Sequence, residues 1–312
     1  MSGAKSSAAD RPADVPARSD RQATLLCGLL VVLAAGFVAT EAALVLPGHL
    51  LAAQIADALL VLVLINIVPR DPAALSDRGA AAQSALRALA LVPLIRVFAL
   101  GLPTHGWSQA AGLLLVAIVV AAAALRMAPA VGVPRSRLLS TRLSPPHSLA
   151  IVAGLGLGCA AYFADAPALW PQDAAPGDVV LALAAVTCAA IAQELVYRGI
   201  LQLTFQRALG SIGVFVVSAV FAAAFLDAGS DALVLIYALA AFIFSRSVSR
   251  TGTLAGAIIG HVLLAAGAGA AWPSILGRVP PLELPQPMTS VVLSIAIGLA
   301  ASAAHDATQR QP

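Results

Sequence analysis

A glutamate and an arginine lie one helical turn apart inside an otherwise apolar stretch of the chain. Glu194 and Arg198 follow residues 179–191, which are almost purely aliphatic. An ionisable side chain costs about 2.5–3.5 kcal/mol at the centre of a membrane helix, so its presence there predicts a functional site. The four-residue spacing places both side chains on one helix face, where pairing lowers the cost for each. The alternative for these two residues alone is a structural ion pair that joins helices.

The composition indicates an all-α membrane protein with many spans. The chain has 312 residues, of which 60% are hydrophobic and 11% are charged, and its mean hydropathy is +0.92. Soluble domains carry roughly 25% charged residues. The net charge of +3 is small and the basic residues lie in short loops, a pattern that reflects membrane topology and not nucleic-acid binding.

The cysteines and histidines show no metal-binding spacing. Cys27, Cys159 and Cys188 lie far apart within apolar runs, where free cysteines usually act as small buried residues. Neither C-x-x-C nor H-E-x-x-H occurs. We therefore expect neither a metal nor any other cofactor.

Ten apolar runs are candidates for membrane helices, each of which needs about 20 residues to span the bilayer. The seventh and eighth runs are short, and Pro93 is expected to kink the third. Prolines fall between the other runs, as helix breakers should. The candidates are residues 24–46, 50–68, 80–100, 107–125, 148–164, 179–205, 212–226, 232–244, 253–271 and 288–304.

The runs divide the chain into five parts. Residues 1–22 are polar and predict a disordered cytoplasmic tail that is too long and too polar for a cleavable signal peptide. Accessory transmembrane helices at 23–126 precede a basic cytoplasmic loop at 127–147. A helical core at 148–275 is followed by a final helix and tail at 276–312.

The distribution of lysine and arginine predicts that both termini are cytoplasmic. With a cytoplasmic N-terminus, fourteen of the 18 basic residues fall on the cytoplasmic side and only Arg278 falls on the other. This is the asymmetry of the positive-inside rule. High alanine and arginine with little lysine is typical of a GC-rich bacterium, so the expected location is the cytoplasmic (inner) membrane, in contact with its lipids.

Three motifs lie in order along the predicted core. The segment Gln193-Glu194-Leu195-Val196-Tyr197-Arg198-Gly199 is similar to E-E-x-x-x-R, Phe221 to Phe225 stands where F-x-x-x-H is expected, and His261 to Ala265 where H-x-x-x-N is expected. With these motifs, residues 179–271 resemble the CPBP family of intramembrane proteases, also called the Abi or CAAX-protease family. The resemblance implies a glutamic endopeptidase that acts on membrane-anchored peptides or protein C-termini.

Three positions depart from the family pattern. In the family, the first glutamate and the histidine of F-x-x-x-H activate the attacking water, and the last histidine and asparagine stabilise the oxyanion. Here Gln193, Phe225 and Ala265 replace three of those groups. The resemblance leaves Glu194, Arg198 and His261 as the catalytic candidates.

The replacements remove both groups that accept a proton. A lost base costs about 10²–10⁴-fold and a lost oxyanion donor about 10²–10³-fold. Two hypotheses follow: a protease with impaired catalysis, or a catalytically inactive homologue, a pseudoenzyme, that binds or scaffolds a membrane partner. A transporter is a distant alternative.

The accessory helices also carry embedded charges, namely Glu41, Asp57, Arg87 and Arg96. We expect interhelical pairs, with Glu41 or Asp57 as the partner of Arg96, while Arg87 can extend towards the cytoplasm. A proton or substrate path is the functional alternative.

Two further patterns concern helix packing in the core. At about 1.5 Å per residue, Glu194, Phe225 and His261 all lie roughly 12–20 Å below the cytoplasmic boundary, so their helices can meet at one level. Gly252, Gly256 and Gly260 recur every four residues and predict a close helix contact.

Overall fold

The computed structural model describes residues 14–45, 50–67, 75–102, 106–164, 175–226 and 230–276. In those ranges 89% of the residues are helical and no strand occurs, which confirms the all-α class. The α-helices are α1 (Asp14–Leu44), α2 (Leu50–Ile67), α3 (Asp77–Leu89), α4 (Leu91–Leu100), α5 (Gly106–Met127), α6 (Arg135–Leu138), α7 (Ser148–Phe163), α8 (Pro176–Glu194), α9 (Gln202–Leu209), α10 (Ile212–Ala223), α11 (Asp231–Thr251), α12 (Ala255–Ala266) and α13 (Trp272–Leu276). Two π-helical turns, Leu195–Leu201 and Gly267–Ala271, connect α8 to α9 and α12 to α13.

The chain is a polytopic membrane protein. Within the described ranges, seven helical segments are long and apolar enough to cross a membrane, and two shorter apolar helices cover Leu50–Asn66 and Ile212–Ala223. Nine of the ten predicted spans therefore have a helical counterpart, and the tenth, residues 288–304, lies outside the described residues. Large apolar side chains such as Leu51 and Ile275, each 68% exposed, face outwards as lipid-facing residues do.

Three helix boundaries differ from the sequence prediction. Helix α1 begins at Asp14, inside the segment predicted to be a disordered tail, because extending an existing helix needs no new nucleation. The third span breaks at Ala90, since Pro93 lacks an N–H and its ring crowds the carbonyl of Leu89. Helix α11 continues to Thr251, two turns beyond the predicted end at residue 244.

The helices of the predicted accessory half pack directly against the core. Helix α5 lies along α8, α3 packs against α9, and α1 packs against α10. Helix α12 packs against both α8 and α7. The continuous helix from Pro176 to Leu209 is therefore held between the two halves of the chain.

Basic residues from separate loops meet at one end of the bundle, which we call the basic end. Arg207 Nη1 donates to the carbonyl of Gly132 at 3.0 Å, and Arg137 Nε donates to the carbonyl of Gly252 at 3.1 Å. Arg78 Nε donates to a carbonyl in the last turn of α9. Burial and the nearby charge of Arg207 lower the pKa of Arg137. These contacts bring segments that are distant in the sequence to the same end of the bundle.

Glycines allow α7 and α12 to approach with their backbones in contact. A Cβ atom added at Gly154 would overlap the carbonyl oxygen of Gly260, and one added at Gly260 would overlap that of Ala150. A Cβ atom added at Gly256 would come within 2.7 Å of the His147 side chain, just before α7, so the predicted close contact is confirmed at Gly256 and Gly260. It is wrong at Gly252, which ends α11 with φ +72°, a conformation that favours glycine.

We expect Gly154→Ala to destabilise the protein by about 1–3 kcal/mol, because the new methyl group forces the two helix backbones apart. Gly156→Ala is the matched control, since it lies on the same helix with no atom within 4 Å of its added Cβ. Thermal unfolding of the purified protein in detergent measures the difference. Equal midpoints for the two variants would contradict the close contact.

Candidate functional site

Glu194 is the centre of a buried charged cluster formed by two membrane helices. Its Oε1 accepts a hydrogen bond from Arg198 Nη1 at 3.0 Å and lies 2.8 Å from His261 Nδ1. The side chains of Glu194 and Arg198 are 0% exposed and that of His261 is 4% exposed. The predicted pairing of Glu194 with Arg198 is confirmed, and the structure brings His261 to the same carboxylate oxygen. We call these three residues the charged cluster.

Arg198 lies in the π-helical turn Leu195–Leu201, which interrupts the long helix between α8 and α9. Turns of this kind are rare in proteins overall, and those that occur are often found at functional sites. Gly199 in the same turn lies against α6: an added Cβ atom would come within 2.6 Å of Leu138 Cδ2. The basic loop therefore packs directly on the helical turn that carries the arginine.

Aromatic rings surround the arginine and the histidine. The guanidinium carbon of Arg198 lies 3.9 Å from the ring centroid of Phe221 and 5.9 Å from that of Phe244. The His261 ring is 5.6 Å from Phe221 and 6.0 Å from Phe244, centroid to centroid. A desolvated cation–π contact contributes about 2 kcal/mol, so Phe221 stabilises the buried arginine together with Glu194.

The contact between Glu194 and His261 determines which histidine nitrogen carries a proton. An ionised carboxylate only accepts hydrogen bonds, so Nδ1 of His261 must be the donor. In the neutral ring, Nε2 then has a free lone pair and is a proton acceptor. A carboxylate partner of this kind fixes the tautomer and the orientation of the ring. The pair is thus arranged to take a proton at Nε2.

The three replaced family positions border the cluster without supplying a proton acceptor. Gln193 is half-buried on α8, directly before the cluster glutamate, and Ala265 is half-buried on α12, one turn after the histidine. Phe225 lies in the turn after α10 and stacks on Tyr237, with centroids 3.9 Å apart and planes at 10°. Aromatic packing therefore occupies the neighbourhood in which the motif would place a histidine.

The embedded charges of the accessory helices also pair between helices. Arg96 Nε lies 2.8 Å from Glu41 Oε1, which confirms one of the two predicted partners of Arg96. The other candidate, Asp57, accepts a hydrogen bond from Thr40 Oγ1 at 3.0 Å. Arg87 is half-buried in the last turn of α3. The contact between Glu41 and Arg96 is an interhelical ion pair, as predicted.

Metal ligands are not grouped in the part of the chain that the structure describes. There, no group of three or more His, Cys, Asp or Glu side chains is arranged to hold a metal ion. Cys27, Cys159 and Cys188 are free thiols on separate helices. The charged cluster contains one carboxylate and one imidazole, both already in contact with each other.

Sequence reasoning missed a row of polar side chains that begins at the charged cluster. Gln202 and Gln206 continue the four-residue spacing of Glu194 and Arg198 towards the basic end. Gln202 is 1% exposed and its Nε2 donates to the carbonyl of Ser245 at 2.8 Å. The spacing was visible in the sequence, but the polar face of α11 opposite it lay beyond the predicted end of that helix.

The motifs, the fold and the site agree with one family comparison. Residues 175–267 match the family model of Rce1-like proteins, described as type II CAAX prenyl endopeptidase. The matched segment contains all three residues of the charged cluster, and the match confirms the predicted likeness of this part of the chain to the CPBP, or CAAX-protease-like, family. No curated protein and no solved structure matches the chain.

We expect Glu194→Gln to lower the free energy of unfolding by about 3–5 kcal/mol, because it leaves the buried charge of Arg198 without its counter-charge. The double variant Glu194→Gln with Arg198→Gln should recover part of that loss. Asp178→Asn, an exposed carboxylate on the same helix, is the control and should change stability little. Thermal unfolding in detergent measures these differences. A double variant that is no more stable than Glu194→Gln alone would contradict the pairing.

Proposed function

We propose that the protein is a CPBP-type intramembrane endopeptidase-like protein that acts on membrane-anchored peptides or protein C-termini, with catalysis impaired by its three replaced positions. The observation that carries the proposal is the 2.8 Å contact between Glu194 and His261 inside the segment that matches the Rce1-like family. This contact offers a proton acceptor where the family's own bases are replaced.

In the proposed reaction, His261 takes the role of general base. Its Nε2 accepts a proton from water while the water oxygen bonds to the carbonyl carbon of the scissile peptide, whose π electrons move to the carbonyl oxygen. When the tetrahedral intermediate collapses, the carbon–nitrogen bond breaks and the proton on Nε2 passes to the leaving nitrogen. Glu194 holds Nδ1–H throughout and stabilises the charged ring, and Arg198 holds Glu194.

The same residues explain why hydrolysis is expected to be slow. Ala265 offers no donor to the developing oxyanion, a loss that typically costs about 10²–10³-fold. With Nε2 used as the base, His261 cannot donate to the oxyanion in the same step. His261 therefore takes the place of the missing base and leaves the oxyanion without a donor from either His261 or Ala265.

A catalytically inactive binding protein is the second candidate, and the aromatic packing favours it. Phe225 stacks on Tyr237, and Phe221 covers the guanidinium of Arg198. Such rings suit the binding of an apolar peptide or lipid chain better than they suit the delivery of water. The transporter alternative has no comparable support, because the deep arginine of the accessory helices, Arg96, is paired with Glu41.

The proposed setting is the cytoplasmic membrane of a bacterium, with the basic end and both termini in the cytoplasm. The guanidinium groups of Arg78, Arg137 and Arg207 gather at that end of the bundle. Cytoplasmic loops carry this excess of positive charge. Substrates would then be membrane-anchored segments that reach the charged cluster from the surrounding lipid.

We expect the reconstituted native protein to cleave members of a quenched library of membrane-anchored peptides slowly, and Glu194→Ala or His261→Ala to abolish the cleavage. Asp178→Asn should retain it. The back-substituted variant Gln193→Glu, Phe225→His, Ala265→Asn should gain activity by about 10²–10⁴-fold, the usual contribution of a base.

Two outcomes would redirect the proposal. Cleavage that persists in both Glu194→Ala and His261→Ala would contradict the proposed catalytic pair. A native chain without cleavage, together with an active back-substituted variant, would support the inactive binding protein.

A further inference from the structure

A row of polar side chains runs between the charged cluster and the basic end, and we call it the polar ladder. It consists of side chains from the long central helix, α10 and α11, each buried in or facing the contact between those helices. Its members are Gln202, Gln206, Ser218, Ser245 and Ser249.

Hydrogen bonds join the two outer members of the ladder to the inner ones. Ser249 Oγ accepts hydrogen bonds from Gln206 Nε2 at 3.1 Å and from Gln202 Nε2 at 2.8 Å. It donates one to the carbonyl of Ser245 at 3.0 Å. Gln202 Nε2 also donates to that carbonyl at 2.8 Å. The contacts alternate between the two facing helices at each turn.

The inner end of the ladder reaches the charged cluster. The single hydroxyl proton of Ser218 has three acceptors in reach, namely the carbonyl of Val214 at 2.9 Å, Oγ of Ser245 at 3.2 Å and the carbonyl of Ala241 at 3.4 Å. The same carbonyl accepts from Arg198 Nη2 at 3.4 Å. A series of polar groups therefore extends from Gln206 to the guanidinium that holds Glu194, and it passes through Ser245, whose carbonyl faces the outer members and whose hydroxyl faces Ser218.

Buried polar atoms along this route have no hydrogen-bond partner among the described residues. They are Gln202 Oε1, Arg198 Nε and Glu194 Oε2. Each such atom costs about 1–3 kcal/mol if it stays unpaired. Hydrogen bonds that only join two helices would account for the donors of the ladder. They would not account for the two acceptors, Gln202 Oε1 and Glu194 Oε2, and the one donor, Arg198 Nε, that stay unpaired.

The outer end of the ladder opens at the surface. Ser249 is exposed and Gln206 is half-buried, whereas Ser245 is 0% exposed. Gln206 also lines an open groove of about 670 Å³ at the basic end, together with Arg78, Arg207 and the single carboxylate Asp77. Exposure thus increases along the ladder from Ser245 to Gln206 and Ser249.

We infer that the polar ladder lines a path by which water reaches the charged cluster from the basic end. Buried water in proteins typically makes about three hydrogen bonds to polar groups that the chain leaves unsatisfied. The unpaired atoms of Gln202, Arg198 and Glu194 are such groups. The existence of the path does not depend on the proposed function. Its use rests on that function, because hydrolysis in a membrane needs water at Nε2 of His261.

Radiolytic footprinting measures this water directly and does not require proteolysis. A short X-ray pulse splits water into hydroxyl radicals, which oxidise a cysteine that contacts the water. The background carries Cys27→Ala, Cys159→Ala and Cys188→Ala, and single cysteines are introduced as Ser249→Cys, Ser245→Cys or Phe242→Cys. Phe242 is the matched control, because it lies on the same helix and is 43% exposed on the lipid-facing surface.

We expect Ser245→Cys to be oxidised on the order of tenfold faster than Phe242→Cys, because cysteine oxidation follows the exposure of the thiol. Adding Gln202→Leu should slow oxidation at position 245 and leave position 249 unchanged. Equal rates at positions 245 and 242 would overturn the path, and so would a rate at 245 that Gln202→Leu does not alter. If Ser245→Cys is oxidised faster than Phe242→Cys but the protein cleaves no peptide, the water path stands and only the proposed function is refuted.

Discussion

One carboxylate oxygen, Oε1 of Glu194, is bound by both Arg198 and His261 in the interior of the helical bundle. An unpaired charged side chain is costly in the hydrocarbon interior of a membrane, so the fold must bring Arg198 and His261 within hydrogen-bond distance of Glu194. This requirement links the long central helix to α12. It also explains why Phe221 of α10 lies across the guanidinium, where its ring adds a second stabilising contact without another charge.

Close backbone contact is one means by which the surrounding structure meets that requirement. Glycines let α7 lie directly on α12, which presents His261 to the central helix. Helices α5 and α3 pack against the same central helix, on α8 and α9 respectively. The π-helical turn between them carries Arg198 and also Tyr197, whose ring meets Phe221 edge-on at 5.0 Å. The predicted division into accessory and core helices is therefore not a division of the packing.

The chemistry of the site follows from the order of these contacts. A carboxylate that accepts from Nδ1 turns the histidine into a proton acceptor at Nε2. In the proposed reaction, that role as a proton acceptor differs from the oxyanion role implied by the family resemblance, and it would compensate for a replaced base. The polar ladder and the aromatic rings reach the cluster along the same two helices, α10 and α11. Phe221 follows Ser218 by about one turn, and Phe244 directly precedes Ser245.

The sequence by itself determined the class of the protein, nine of the helical segments and the pairing of Glu194 with Arg198, because hydropathy and a four-residue period are local properties. Motif order also identified the family segment. Only the tertiary structure decided that His261 shares the carboxylate, that Phe225 stacks on Tyr237, and that α11 extends far enough to build the polar ladder. Those features depend on how distant helices approach and rotate against one another. No local period encodes that geometry, since it arises from packing across the whole bundle.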